Sequence, residues 1–161
     1  MTEIFERLVE LFTQEKARFR VVAHDAAGRS EHVAEVRGTE IGQGAKALVC
    51  ELSAAAGEAA RHVLAIIPGD RRLDGKKLAQ FCGRRKMRFA PAEVAQELTG
   101  CVIGSIPPVS FGGLEVICDR ELAGRYAEIA FNAGRLDRSI VVMVEDYLRI
   151  VQPRLADIQQ V

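Results

Sequence analysis

The chain has 161 residues, 48% apolar and 27% charged, and its 22 Lys+Arg balance 22 Asp+Glu to a net charge of zero. That length fits one domain over residues 1–161 with a sizeable core, and the balance excludes a protein that is basic all over. No run reaches the roughly 18 apolar residues of a membrane span, and Met1-Thr2-Glu3-Ile4-Phe5-Glu6 lacks the basic start and apolar core of a leader, so the expected compartment is the cytoplasm.

In chain order, Ile4, Leu8, Leu11 and Phe12 form the apolar stripe of a helix over about residues 2–16, with Thr2 as its cap. Phe19 to His24 reads as a short strand ended by Asp25-Ala26-Ala27-Gly28. Ser30 is placed to cap a second helix, Glu31 to Arg37, which Gly38 stops. Gly42-Gln43-Gly44 then opens a strand in which Lys46, Leu48 and Cys50 share one face and Ala45, Ala47 and Val49 the other. Ala54 to Glu58 suits a hairpin loop, and His62 to Ile67 an antiparallel partner closed by Pro68-Gly69.

Asp74 is placed to cap a helix from Gly75 to Phe81, and Met87-Arg88-Phe89 reads as a short strand. Pro91 suits the first turn of a helix that Gly100 ends. Strands are expected at Leu114 to Cys118, Ala127 to Phe131 and Ser139 to Val144, with a turn at Asn132-Ala133-Gly134. Glu145 to Ile150 reads as a short helix, and the tail after Pro153 as a terminal one. Helices and strands alternate without a regular βαβ rhythm, which predicts an α+β fold with a mixed sheet and not a doubly wound dinucleotide fold.

Lys46 is the first residue to suggest chemistry. An ammonium among core-type residues is costly unless it meets an anion, so either Lys46 snorkels to solvent or it serves a site. The second stretch is Thr99-Gly100-Cys101-Val102-Ile103-Gly104-Ser105-Ile106-Pro107-Pro108. Gly104 permits close backbone approach, while Pro107 and Pro108 stiffen the loop and offer no N–H. The amides of Gly104, Ser105 and Ile106 can cradle a carbonyl; equally, the loop can be a rigid turn.

Together these stretches resemble the YbaK/ProX-type aminoacyl-tRNA deacylases, freestanding relatives of the editing insertion in bacterial prolyl-tRNA synthetases. In that family a core-strand lysine faces a G-x-x-x-P loop, here Gly104 to Pro108. The resemblance covers nearly the whole chain. It implies a curled, barrel-like mixed β-sheet with helices outside, and hydrolysis of mischarged tRNA in trans. Catalysis would then be substrate-assisted, the terminal ribose hydroxyl placing water while Lys46 orients the substrate or stabilises charge. No metal or organic cofactor is implied, and the partners are mischarged aminoacyl-tRNA and, beside it, a synthetase.

The family also places a loop holding Asn132 and Gly134 near the pocket, where Asn132 either reads the substrate's amino group or satisfies its own turn. A pocket tyrosine of some cysteine-editing members aligns with Val22, and a pocket aspartate with Ser139. Both departures weaken cysteine specificity and suit a small polar side chain. Arg37-Gly38 and Glu128 to Gly134 match best the subgroup associated with seryl and threonyl mischarging, with alanine open. A hydrophobic pocket separates near-isosteres by only about 1–3 kcal/mol.

His24 either lines the site or is a turn histidine, and Cys50 reads as packing. Cys50, Cys82, Cys101 and Cys118, like His24, His32 and His62, lack metal-ligand spacing. Arg71, Arg72, Lys76, Lys77, Arg84, Arg85, Lys86 and Arg88 crowd a tract whose only acid is Asp74, which points to contact with tRNA phosphates. Two other readings stay open: a catalytically silent module that binds tRNA or a synthetase, and a small nucleotide binder, against which the absence of a phosphate-cradling glycine motif counts.

Overall fold

A computed structural model describes residues 3–161. The expected cap Thr2 lies outside the described residues, and Glu3 flanks the first helix, α1 (Ile4–Gln14), without a side-chain bond to it. Leu8 and Phe12 of α1 are fully buried, with Ile4 and Leu11 packed against the same core. Next come β1 (Phe19–Ala23) and α2 (Ser30–Arg37), which Gly38 closes at φ 72°. Ser30, expected as the cap of α2, is instead its first residue, and Arg29 is the flank.

The lysine strand, β2 (Ala45–Leu52), pairs antiparallel with β3 (Arg61–Pro68), setting Lys46 opposite Ile67 and Cys50 opposite Val63. Asp74 accepts hydrogen bonds from the Lys76 and Lys77 amides and so caps α3 (Gly75–Phe81). β4 (Met87–Phe89) adds to the free edge of β2, and α4 (Ala92–Thr99) ends on Gly100 at φ 72°. Then follow β5 (Glu115–Asp119), α5 (Arg120–Arg125), β6 (Glu128–Arg135), β7 (Arg138–Met143), α6 (Val144–Val151) and β8 (Arg154–Ala156).

Two expectations are corrected. Asn132-Ala133-Gly134 is not a turn: β6 runs through it to Arg135, and Asn132 pairs with Ser139 of β7. An Asn-x-Gly run is a turn signal locally, but the β7 ladder claims its backbone, and Gly134 at φ 78° is absorbed where the register shifts between Asn132 and Arg135. The tail is not a helix either: β8 pairs parallel to β5. Pairing with β5 gives this segment a ladder, and Ala156 and Ile158 are buried there.

The strands form a three-stranded antiparallel sheet, β1-β7-β6, and a five-stranded mixed sheet, β4-β2-β3-β5-β8. A parallel bridge between Gly44 and Ala130 joins them. The alternation of β2 separates two apolar clusters. Ala45 and Val49 belong to the larger one with Phe12, Phe131 and Tyr147, whereas Cys50 and Leu52 belong to the smaller one with Leu78 and Ile158. The α+β class is therefore present, and β2 carries Lys46 between the two cores, where the two sheets meet. No helix among the described residues is long and apolar enough to cross a membrane.

Candidate functional site

A cavity of about 330 Å³ opens beside the N-terminal half of β2. One wall is apolar: Ala45, Ala47 and Val49 from β2, Ala95 from α4, and Ile106. The cavity's polar lining comes from Arg37 at the end of α2, Asn132 of β6, and the backbone of Gly104. Phe89 and Ile103 line it while remaining 59% and 55% exposed, so they stand at its rim.

Lys46 and Gly104, distant in sequence, both line this cavity. The Lys46 ammonium donates to the Arg71 carbonyl at 3.1 Å. Burial pulls its pKa below the ordinary lysine value, opposed by the field of Glu31. Lys46 is thus a half-buried lining residue, held by one neutral acceptor.

The polar wall is a continuous network. Asn132 Nδ2 donates to the Ala27 carbonyl at 2.7 Å and to the Gly104 carbonyl at 2.8 Å, which pins the loop to β6. Asn132 Oδ1 accepts from Arg37 Nη2 at 3.2 Å and from the Ser139 hydroxyl at 3.1 Å. Arg37 Nε donates to Ser139 Oγ at 2.7 Å, and His24 Nε2 lies 2.7 Å from the same oxygen. Ser139 is fully buried, so it and His24 support the wall from behind. Arg37 is only 9% exposed, and burial lowers its pKa to about 10.

The remaining anticipated residues lie elsewhere. Ser105 is fully buried, and its amide and hydroxyl both donate to the Val102 carbonyl, at 3.0 and 2.7 Å. Of the three loop amides considered for a carbonyl, that leaves those of Gly104 and Ile106. Pro107 packs beside Ile4 and Leu98, and the Pro108 carbonyl accepts from Tyr147 Oη at 2.6 Å. Gly134 backs onto Ile4, and Val22 pairs with Ser139 behind the wall. Burial pushes the Cys50 thiol up to about 12, which suits packing and not nucleophilic attack. Among the described residues no cluster of His, Cys, Asp or Glu could hold a metal ion.

The basic tract divides. Arg84 is a buried structural residue, donating to the Ser53 and Ala59 carbonyls at 2.7 and 2.9 Å and to Glu58 at 2.7 Å. Arg71 pairs with Glu121 at 3.0 Å, Lys77 with Asp157 at 3.2 Å, and Arg88 with Glu51 at 2.9 Å. The acids missing from the tract are supplied by other segments of the chain. Arg72, Lys76, Arg85 and Lys86 are exposed and without an ion-pair partner among the described residues.

Arg37 and Phe89 also line the cavity, and neither is among the site residues expected from the motifs. Arg37 did leave a signal, since Val33, Ala34 and Arg37 share one buried helical face. An arginine on an apolar stripe is expensive without a purpose. Phe89 left none beyond an aromatic beside a basic run.

A family model described as an aminoacyl-tRNA editing domain matches residues 24–150. The chain is 49% identical over 157 residues to a multifunctional Ser/Thr-tRNA deacylase, ProXp-y, of Escherichia coli K12, which spans 96% of this chain and 92% of that protein. It is 30% identical over 129 residues to a candidate Cys-tRNA(Pro)/Cys-tRNA(Cys) deacylase, EbsC, of Enterococcus faecalis, spanning 80% of this chain and 76% of that one. A crystal structure of a candidate trans-editing enzyme for prolyl tRNA synthetase matches with a TM-score of 0.82 at 26% identity, covering 100% of this chain and 99% of its own.

Proposed function

The chain belongs to the aminoacyl-tRNA editing domain family, and we propose that it is a trans-editing hydrolase that frees serine or threonine from mischarged tRNA. Residues 1–161 act as one editing domain in the cytoplasm, with the two bridged sheets curling into a barrel-like body. The observation that carries the reading is the convergence of Lys46 and the Asn132-pinned Gly104 loop on one cavity.

The aminoacyl ester is already activated, so the protein needs no strong nucleophile. It must fix the ester and place water. Lys46 anchors the ribose or phosphate of the terminal adenosine, exchanging the Arg71 carbonyl for the substrate. The Gly104 amide polarises the acyl carbonyl, and the ribose hydroxyl holds the attacking water. Exposed Phe89 offers a face on which the terminal base can stack. Small alanines on the apolar wall admit a small side chain, and the polar wall meets its hydroxyl. Arg72, Lys76, Arg85 and Lys86 contact tRNA phosphates, and a synthetase is the natural source of the mischarged substrate.

One observation favours a second reading, a silent tRNA-binding module: the Lys46 ammonium is already bonded within the protein. Incubation with preformed Ser-, Thr-, Ala- and Cys-tRNA separates the two. Release of Ser or Thr ahead of Ala and Cys supports the hydrolase; salt-sensitive binding with no release from any of the four supports the module.

A further inference from the structure

The cavity contains a cation with no anion. Arg37 makes its two hydrogen bonds to neutral oxygens, Ser139 Oγ at 2.7 Å and Asn132 Oδ1 at 3.2 Å. Its Nη1 has no acceptor among the described residues and faces Gly44, where a Cβ would stand 3.8 Å away. The pull on its pKa comes from burial, with no carboxylate raising it. Neighbouring cations are compensated: Arg125 pairs with Asp70 at 2.8 Å and Arg71 with Glu121 at 3.0 Å, while Lys46 feels Glu31 and Asp70. A guanidinium held in a cleft by neutral groups is poised for negative charge that arrives from outside.

Resting on the deacylase reading, we propose that Arg37 is a catalytic residue whose Nη1 stabilises the oxyanion formed on the aminoacyl carbonyl oxygen. The oxygen of water bonds to the acyl carbon, and the carbonyl π pair moves onto its oxygen. The intermediate collapses by breaking the bond to the ribose oxygen, which leaves with the proton that water gives up. Negative charge sits on the former carbonyl oxygen only between these steps. A donor already fixed beside it is therefore worth most in the transition state.

The fork is fixed on two sides. Ser139 holds Nε and is itself met by His24 Nε2 at 2.7 Å, and Asn132 holds Nη2. Asn132 also grips the Gly104 carbonyl at 2.8 Å, so the guanidinium and the loop keep one spacing. A Cβ on Gly44 would stand in van der Waals contact with Nη1, and its absence leaves that nitrogen uncovered on the Gly44 side. The same charge repels the substrate's α-ammonium, which turns the amino group away and the carbonyl toward Arg37.

The test compares wild type with Arg37→Gln, Arg37→Lys and Ser139→Ala in single-turnover hydrolysis of Ser-tRNA. Melting temperature and affinity for an amide-linked seryl-adenosine are measured on the same proteins. Arg37→Gln is expected to slow hydrolysis by roughly 100-fold or more, as loss of one oxyanion donor does, while analogue affinity moves less than about threefold. Arg37→Lys, which keeps the charge without the fork, recovers part of the rate. A rate within about threefold of wild type in Arg37→Gln overturns the proposal, and so does a parallel loss of rate and analogue affinity, which marks a ground-state anchor. A lowered melting temperature with equal rate losses in Arg37→Gln, Arg37→Lys and Ser139→Ala makes Arg37 structural and also overturns it. Wild type that releases nothing fails the deacylase reading itself and takes this inference with it.

Discussion

Asn132 ties more of the site together than any other side chain, because both ends of its amide are used twice. Replacing it by alanine strands buried carbonyls and the Arg37 and Ser139 donors. Each unsatisfied group costs about 1–3 kcal/mol, so Asn132→Ala should melt several degrees lower and lose activity together. Asn132→Asp keeps the shape but sets a carboxylate against Arg37 and removes the donors to Ala27 and Gly104. It should therefore stay folded and lose hydrolysis, and an active Asn132→Asp would contradict the network as described. Phe89 tests the rim. Base stacking on an aromatic is worth about 1–3 kcal/mol, so Phe89→Ala should raise KM for charged tRNA by roughly 5- to 150-fold with kcat little changed, and Phe89→Tyr should restore it. At this scale the sequence was legible where a residue type is itself a signal. Lys46 and the Gly104 loop stood out and the family alignment pointed to Ser139, whereas Arg37 matters through partners that only the folded sheet brings to it.

Secondary elements were easiest to read where the backbone carries its own punctuation. Asp74, Gly38 and Gly100 cap or stop their helices as their chemistry requires. Where pairing decides, local signals misled, as at Asn132 to Gly134 and in the tail. β8 is held through Asp119, which caps α5 through the Glu121 amide and also accepts from the Ile158 amide at 3.0 Å and Gln159 Nε2 at 3.0 Å. Asp119→Ala should cost about 1–3 kcal/mol, a fall of roughly 2–12 °C in melting temperature, with amide exchange rising first over 154–160. A second clamp joins the approach to β1 with the first turn of α6: Asp146 accepts from the Arg18 backbone amide at 2.8 Å and from its Nε at 2.9 Å. Those bonds hold the Asp146 carboxyl at about 2, below its ordinary 3.8. A depressed carboxylate stabilises the fold above its unfolded value and loses that contribution as pH falls through the folded one. The stability gap between wild type and Asp146→Asn should be full at neutral pH, narrow below 3.8 and close near 2; a gap that persists in stronger acid would refute the clamp.

The whole molecule presents charge unevenly despite its zero net value. The run from Arg71 to Arg88 is a free basic face only in part, since Glu51, Glu58, Glu121 and Asp157 fold back to neutralise half of it. Those long-range pairs could not be read from a tract whose own acid is Asp74 alone. Every phosphate that the protein stops neutralising lowers the slope of log affinity against log salt by about 0.7–0.9. Arg85→Ala with Lys86→Ala should therefore flatten the salt dependence of tRNA binding, while Arg84→Ala should lower stability and leave the slope alone. The α+β class followed from the alternation of elements, but the division into two sheets bridged at Gly44 and Ala130 did not, because strand order is set by contacts far apart in the chain. That bridge brings the lysine strand to the wall that holds the Gly104 loop, and ester hydrolysis is proposed to occur between them. Its most direct test is single-turnover hydrolysis of Ser-tRNA and Thr-tRNA by wild type and by Lys46→Ala, with tRNA affinity measured on both proteins. Wild type should release the amino acid rapidly, and the variant, which still binds tRNA, should release it at a rate near the uncatalysed one. Equal rates in the two proteins would contradict the proposal.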